Sequence, residues 1–280
     1  RKGLSSIETY AKPERVFVES NCSVSLVGDD VQGIADQMDL PWPVYAMDSG
    51  GMKGSFEAGY SAASLRIEKE MKTKEKIPAS VNVLGLSTVH MKGREDAEEI
   101  RRLLSLCGIR VISMPGGGSS WEDIMDAPSA SLNIVVRDEL GLSLAKQMER
   151  DFGTPYMSCG LPYGTDGTLA WLSEIIEKLG AGELTRASHE AAKLKEFLLR
   201  KGNNLESLWG PLWFDAVLIS APPSEALGIA ETIRSEWIDT ARLVIHAQCE
   251  TKKSTPAARD ASAPAYGKII HRLPYRTSVT

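Results

Sequence analysis

What the chain lacks narrows its function before anything present is read. Its 280 residues hold no apolar run near the ~20 that cross a bilayer as a helix, so an integral membrane protein is not expected. No apolar signal core follows Arg1-Lys2-Gly3, which gives secretion no support and leaves the cytoplasm as the expected location. A basic surplus is missing too. Net charge is −5, and bases outnumber acids clearly only over residues 249–280, where a solvated tail is a plainer reading than a nucleic-acid arm. Cysteine is scarce: Cys22, Cys107, Cys159 and Cys249 form no CxxC pair, which excludes a self-contained zinc ribbon and a dense disulfide framework. Reduced thiols in a cytoplasmic protein are the default. The four histidines show no metal-ligand spacing. There is no P-loop, no G-x-G-x-x-G turn and no G-x-S-x-G elbow, so nucleotide triphosphate binding, a dinucleotide fold and a serine hydrolase all lack their signatures.

What is present is an alternation of strands and helices. Val16-Phe17-Val18, Val81-Asn82-Val83-Leu84, Ile109-Arg110-Val111-Ile112 and Leu132-Asn133-Ile134-Val135-Val136 are β-branched runs too short for helices. Between them, Arg94–Cys107 repeats apolar residues at helical spacing (Ala97, Ile100, Leu103, Leu104), and Gly108 suits a left-handed stop. Residues 141–152 repeat the scheme. Such alternation predicts βαβ units and parallel sheets: an α/β protein of repeated Rossmann-like domains. The expected divisions are a partial α/β domain over 1–77, a central one over 78–182, a linking helix over 183–204, and a further α/β unit over 205–280 with a mobile loop at 249–265.

Two local features could carry chemistry. Gly116-Gly117-Gly118-Ser119-Ser120 follows a strand and could offer amides to an anion, but Glu122 and Asp123 in the next turn would repel one. A flexible turn is the better reading. Cys22 comes directly after a strand at a helix start, where unsatisfied N–H groups favour a thiolate. A nucleophile, a redox thiol, an iron–sulfur ligand and a small buried residue at a tight turn all remain open on these residues.

The segment from Cys22 to Val31, C-S-V-S-L-V-G-D-D-V, resembles the cysteine-plus-G-D-D segment of the nitrogenase component 1 family. That family contains the nitrogenase molybdenum–iron protein subunits, the scaffold for its cofactor, and protochlorophyllide reductase-like oxidoreductases. The resemblance continues at Pro43-Val44, at Gly51-Met52-Lys53-Gly54, which is similar to the family's loop beside its cluster, and at Val81–Gly85, Ala130–Val135 and Phe152-Gly153-Thr154-Pro155-Tyr156. It covers roughly residues 15–180 and implies the family's chelatase-like architecture. It also implies an oxidoreductase subunit, working anaerobically, that takes low-potential electrons from an ATP-dependent iron–sulfur reductase. These would pass through an iron–sulfur cluster, shared with a homologous or identical subunit in a dimer or tetramer, to a substrate. Cys22 stands at the position of a cluster ligand. The family's other cluster cysteines lie upstream of this segment, so a fragment or truncated subunit is expected, with the cluster completed from elsewhere.

One departure narrows the chemistry. Where the cofactor-bearing nitrogenase subunit has a cysteine ligating its metal cofactor, this chain has Arg137, which has no lone pair for a metal. Dinitrogen reduction at a standard molybdenum cofactor is therefore not expected. Arg137, Asp138 and Cys159, at strand ends, are candidate substrate contacts; Arg137 would pair with a carboxylate such as a tetrapyrrole propionate, or make a local salt bridge. The alternative function is a cluster-free scaffold or binding module for a tetrapyrrole or metal cofactor.

Overall fold

The computed structural model describes residues 1–47, 54–209, 213–214, 216–237, 239–240, 243–247 and 268–271. These fall into two units divided between Lys69 and Glu70.

In the first unit, α1 (Lys2–Tyr10) precedes β1 (Val16–Glu19), α2 (Cys22–Val27), α3 (Val31–Asp36), β2 (Val44–Met47) and α4 (Phe56–Glu68). The apolar alternation of β1 pairs it in parallel with β2, in the register Val16↔Val44 to Glu19↔Met47. A small core gathers Ala35, Trp42 and Val44 with Leu4, Ile7, Val16, Val18 and Leu40 around them. Gln32 of α3 serves as a side-chain splint for β2: its Nε2 donates to the Val44 carbonyl at 3.0 Å and its Oε1 accepts the Ala46 amide at 2.9 Å. The sequence gives no expectation of α1, because Leu4 and Ile7 are too few to set a period.

The second unit begins with β3 (Ile77–Leu84), α5 (Gly93–Leu106), β4 (Arg110–Ser113), α6 (Trp121–Asp126), β5 (Ala130–Val135), α7 (Asp138–Phe152), β6 (Tyr156–Ser158) and α8 (Thr165–Leu179). Its four strands form an all-parallel sheet in the order β4-β3-β5-β6. The last five residues of β3 are buried without alternation, as they must be where both faces of a parallel strand are covered. The core joins Val81, Val83, Leu132 and Ile134 of the sheet to Ile100 and Leu104 of α5 and to Trp171, Leu172 and Ile175 of α8. α7 packs on β3, β5 and β6 and buries Leu140, Leu144, Ala145 and Met148. Gly108, at φ 76°, takes the left-handed position that ends α5, as its sequence context suggests.

A long helix, α9 (Thr185–Trp209), leads to β7 (Trp213–Phe214), β8 (Val217–Ala221), α10 (Pro223–Thr232), β9 (Asp239–Thr240), β10 (Leu243–Ala247) and β11 (Lys268–His271). β8 and β10 are parallel around α10, the βαβ unit expected there, and β11 adds antiparallel to β10. The helix expected to run to Trp237 is present in two parts, α10 and a π-helical turn over Ile233–Trp237. The loop expected at 249–265 lies outside the described residues. No helix among the described residues is long and apolar enough to cross a membrane.

Candidate functional site

The first candidate locus is built by helix-end chemistry. Asn21, in extended conformation, caps α2 by accepting the Val24 amide on its side-chain oxygen at 3.0 Å, and this fixes Cys22 as the first helical residue. The thiol is exposed, which removes the reading of a small buried residue at a tight turn. α2 is a helix of only 6 residues, and Asn21 already satisfies one of its first amides, so the helix end offers less to a thiolate than the sequence implied.

The G-D-D segment has a local physical role. Gly28 closes α2 at φ 77°, and Asp30 caps α3 by accepting the Gly33 amide at 2.8 Å. A Cβ at Gly33 would meet the Asp30 carboxylate at 2.2 Å, so a side chain there would make the capping group shift. Leu26 and Val27 stand exposed on the same short helix as Cys22. Of the loop expected beside a cluster, Gly51, Met52 and Lys53 lie outside the described residues. Gly54 is described and leads into Ser55, whose hydroxyl accepts the Ala58 amide to cap α4.

The second locus lies in the other unit, at the carboxyl ends of β3 and β5, where the strand order reverses and open α/β sheets hold ligands. Gly85 (φ 93°) follows β3 so closely against Arg137 that a Cβ would sit 2.6 Å from the Arg137 carbonyl oxygen. Arg137 is 2% exposed, and its fork faces an internal carboxylate rather than an open crevice. Nε donates to Glu225 of α10 at 2.6 Å, and Nη1 to the Gly85 carbonyl at 3.3 Å. Of the two expectations for Arg137, a substrate carboxylate or a local salt bridge, the structure shows an ion pair, and its partner lies 88 residues away.

Asp138 and Cys159 are likewise engaged within the fold. Asp138 accepts the Ser158 hydroxyl across the ends of β5 and β6. Cys159 packs against the central core, and burial pushes its thiol up to about 12. Cys107, the residue that caps the C-terminus of α5, is buried in the central core, its thiol also raised by burial, in keeping with a packing role. Cys249 lies outside the described residues. At the glycine turn the Gly117 amide donates to the Met114 carbonyl at 2.8 Å, and just beyond it Asp123 accepts the Ser120 amide in a capping box that starts α6.

The sequence reading missed the residues that join α10 to the central sheet. Ser224 donates its hydroxyl to Glu139 at 2.6 and 2.5 Å, beside the Arg137–Glu225 pair. Glu236, from the π-helical turn, caps α8: it accepts the Thr165 amide and hydroxyl, both at 2.6 Å, and the Asp166 and Gly167 amides at 2.9 and 3.1 Å. Burial opposes that charge, but the Thr165 hydroxyl and the amides of Gly167, Thr165 and Asp166 outweigh it and hold the Glu236 carboxyl below its usual range. Burial first, then the nearby Glu225, pushes the Tyr163 phenol up to about 12. A Gly-Thr-Asp-Gly-Thr run opening α8 was the available signal for the cap, though nothing local points to Glu236 as its occupant.

Among the described residues, no group of three or more histidine, cysteine, aspartate or glutamate side chains could by itself hold a metal ion.

Compared with known proteins, residues 1–202 match the family described as nitrogenase component 1 type oxidoreductase. The nitrogenase iron-molybdenum cofactor biosynthesis protein NifE of Clostridium pasteurianum is 32% identical over 209 residues, covering 73% of this chain and 43% of that protein. A light-independent protochlorophyllide reductase subunit of Pelodictyon phaeoclathratiforme is 30% identical over 187 residues, covering 65% of this chain and 35% of that protein. The chain therefore spans about two fifths of the length of such relatives. Among solved structures, "Nitrogenase Cp1 at pH 5" superposes with a TM-score of 0.68 at 24% identity, over 88% of this chain and 50% of that one.

Proposed function

The chain belongs to the nitrogenase component 1 type oxidoreductases, and from that premise we propose that it is an electron-accepting subunit of a nitrogenase-like reductase. In this reading an ATP-dependent iron–sulfur reductase supplies low-potential electrons. They reach the substrate through an iron–sulfur cluster shared with a homologous or identical subunit, and Cys22 is a ligand contributed by this chain. The observation that carries it is the exposed Cys22 thiol, set by the Asn21 cap beside exposed Leu26 and Val27.

The donor set fits one corner of a shared cluster. A cluster typically takes about four cysteine thiolates, and Cys22 is the single cysteine of its unit, so the remaining ligands must come from another segment or subunit. When bound, such a cluster supplies one-electron chemistry at a potential tuned by charge, hydrogen bonds and solvent. This chain's own contributions are a cysteine at a fixed helix start, the exposed apolar side chains of Leu26 and Val27 on the same helix, and a left-handed turn at Gly28. Arg137 serves as a positioning residue: it holds Glu225, and through it α10, at the sheet edge. Its guanidinium argues against a standard molybdenum cofactor there, and so against dinitrogen reduction at that place.

Anaerobic reconstitution of the protein and its partner subunit with iron and sulfide tests the reading. Cys22→Ala is expected to lose cluster iron; equal uptake by variant and wild type would remove Cys22 from the ligand set. A second reading, a cluster-free scaffold or binding module for a tetrapyrrole or metal cofactor, draws support from the 32% identity to a cofactor biosynthesis protein. Tight binding of a tetrapyrrole by iron-free protein would favour it over electron transfer.

A further inference from the structure

A cavity of about 900 Å³ opens between α5, the segment leading into α8, α9, and α10 with its π-helical turn. That volume lies in the range of small-molecule sites. Its walls are mostly apolar, with Ile100 and Leu103 from α5, Leu172 from α8, Leu194 from α9, and Ile229 and Ile233 from α10 and the turn after it.

The charge around it is one-sided. Four carboxylates line the cavity, those of Asp96, Glu99, Glu190 and Glu236, against two cations, Arg102 and Lys193. Arg102 is already shared between Glu99 and Glu190, each at 2.7 Å, so its fork is not available to a ligand acid. Glu236 is committed to the start of α8. Asp96 differs from the other three. It is half-buried, and its carboxylate takes part in no side-chain hydrogen bond or ion pair among the described residues. Burial raises its pKa, the nearby Arg137 opposes that rise, and Glu225 and Glu95 add to it. A partly desolvated carboxylate beside apolar walls is costly when charged and gains from an added cation. Tyr163 lines the cavity too, its ring packed closely on Gly228 of α10 and its phenol protonated at neutral pH.

We propose that this cavity binds an apolar small molecule bearing a single positive charge, an alkyl or aryl amine, with its ammonium at Asp96. The apolar body lies along Leu103, Leu172, Leu194 and Ile233. Carboxylate ligands are selected against, because the uncommitted lining acid, Asp96, is half-buried while the uncommitted lining cation, Lys193, is exposed to solvent, where screening weakens its pull.

Two fluorescent probes of equal length test this on the intact protein: a dansylated diaminooctane, cationic at its free end, and a dansylated aminooctanoate, anionic there. The amine is expected to bind about tenfold more tightly, the worth of one charge-assisted contact, and Asp96→Asn to abolish that preference. Should Asp96→Asn fail to fold, Leu194→Lys on the exposed side of α9 is expected to reverse the preference. Equal binding of both probes, tighter binding of the carboxylate, or binding of neither would overturn the proposal. So would sedimentation showing a dimer that admits probe only after Leu198→Glu splits it, because the occupant would then be a second copy.

Discussion

Cys22, Cys107 and Cys159 are chemically one residue in three environments, and their surroundings decide what each can do. Cys22 is exposed, Cys107 is buried at the C-terminus of α5, and the Cys159 thiol is raised to about 12 by burial. Only a thiolate reacts or ligates, so a group raised that far is protonated at neutral pH. With iron-free protein near pH 7.5, iodoacetamide is therefore expected to label Cys22 well before Cys107 or Cys159, read by peptide mass spectrometry. Faster labelling of Cys159 would show that its packing is wrong. The sequence pointed to Cys22 because a strand and a helix meet there, and that much is local. Asn21, directly before the helix, is itself an N-cap signal that the strand-to-helix reading passed over. The aspartates of Gly28-Asp29-Asp30 read as a family mark, and only the structure shows Asp30 holding the Gly33 amide. Arg137 was placed correctly at a strand end, but its partner lies 88 residues away, beyond any periodicity.

Among the elements, α10 and its π-helical turn carry the contacts that the sequence left invisible. Glu225 meets Arg137, Ser224 meets Glu139, and Glu236 caps α8. Strands and helices were legible because their signals repeat every two or 3.6 residues; a docking contact between elements has no period. Breaking a buried ion pair leaves one charge uncompensated, so Glu225→Gln is expected to cost about 3 kcal/mol in urea unfolding. The apolar double variant Arg137→Met with Glu225→Leu should recover most of it, because neither charge is then stranded. A loss no smaller in the double variant would mean that the pair matters for shape rather than charge. Glu236 gives a pH signature. Its folded-state pKa lies below the ordinary 4.5, so its stabilisation is complete above that value and is lost as pH falls through the lower one. Glu236→Gln should flatten the acid limb of the stability curve below about pH 4.5 and lower stability at neutral pH. An unchanged acid limb would exclude Glu236 as its source.

At the scale of the molecule, alternating strands and helices gave the α/β class, and the parallel sheet β4-β3-β5-β6 places its switch point where Arg137 stands. Chain reversal around β3 was not legible, since strand order depends on which helices cover which face. The two units carry different parts of the account. The first presents an exposed thiol, and the second closes the carboxyl end of its sheet with an internal ion pair while leaving a cavity alongside. The claim on which the functional reading rests is that Cys22 ligates iron. Alkylation of Cys22, mapped by mass spectrometry on the anaerobically purified complex before and after iron is chelated away, tests it most directly. Ligation predicts that Cys22 is blocked in the iron-loaded complex and labelled once the iron is gone; equal labelling in both states would contradict it.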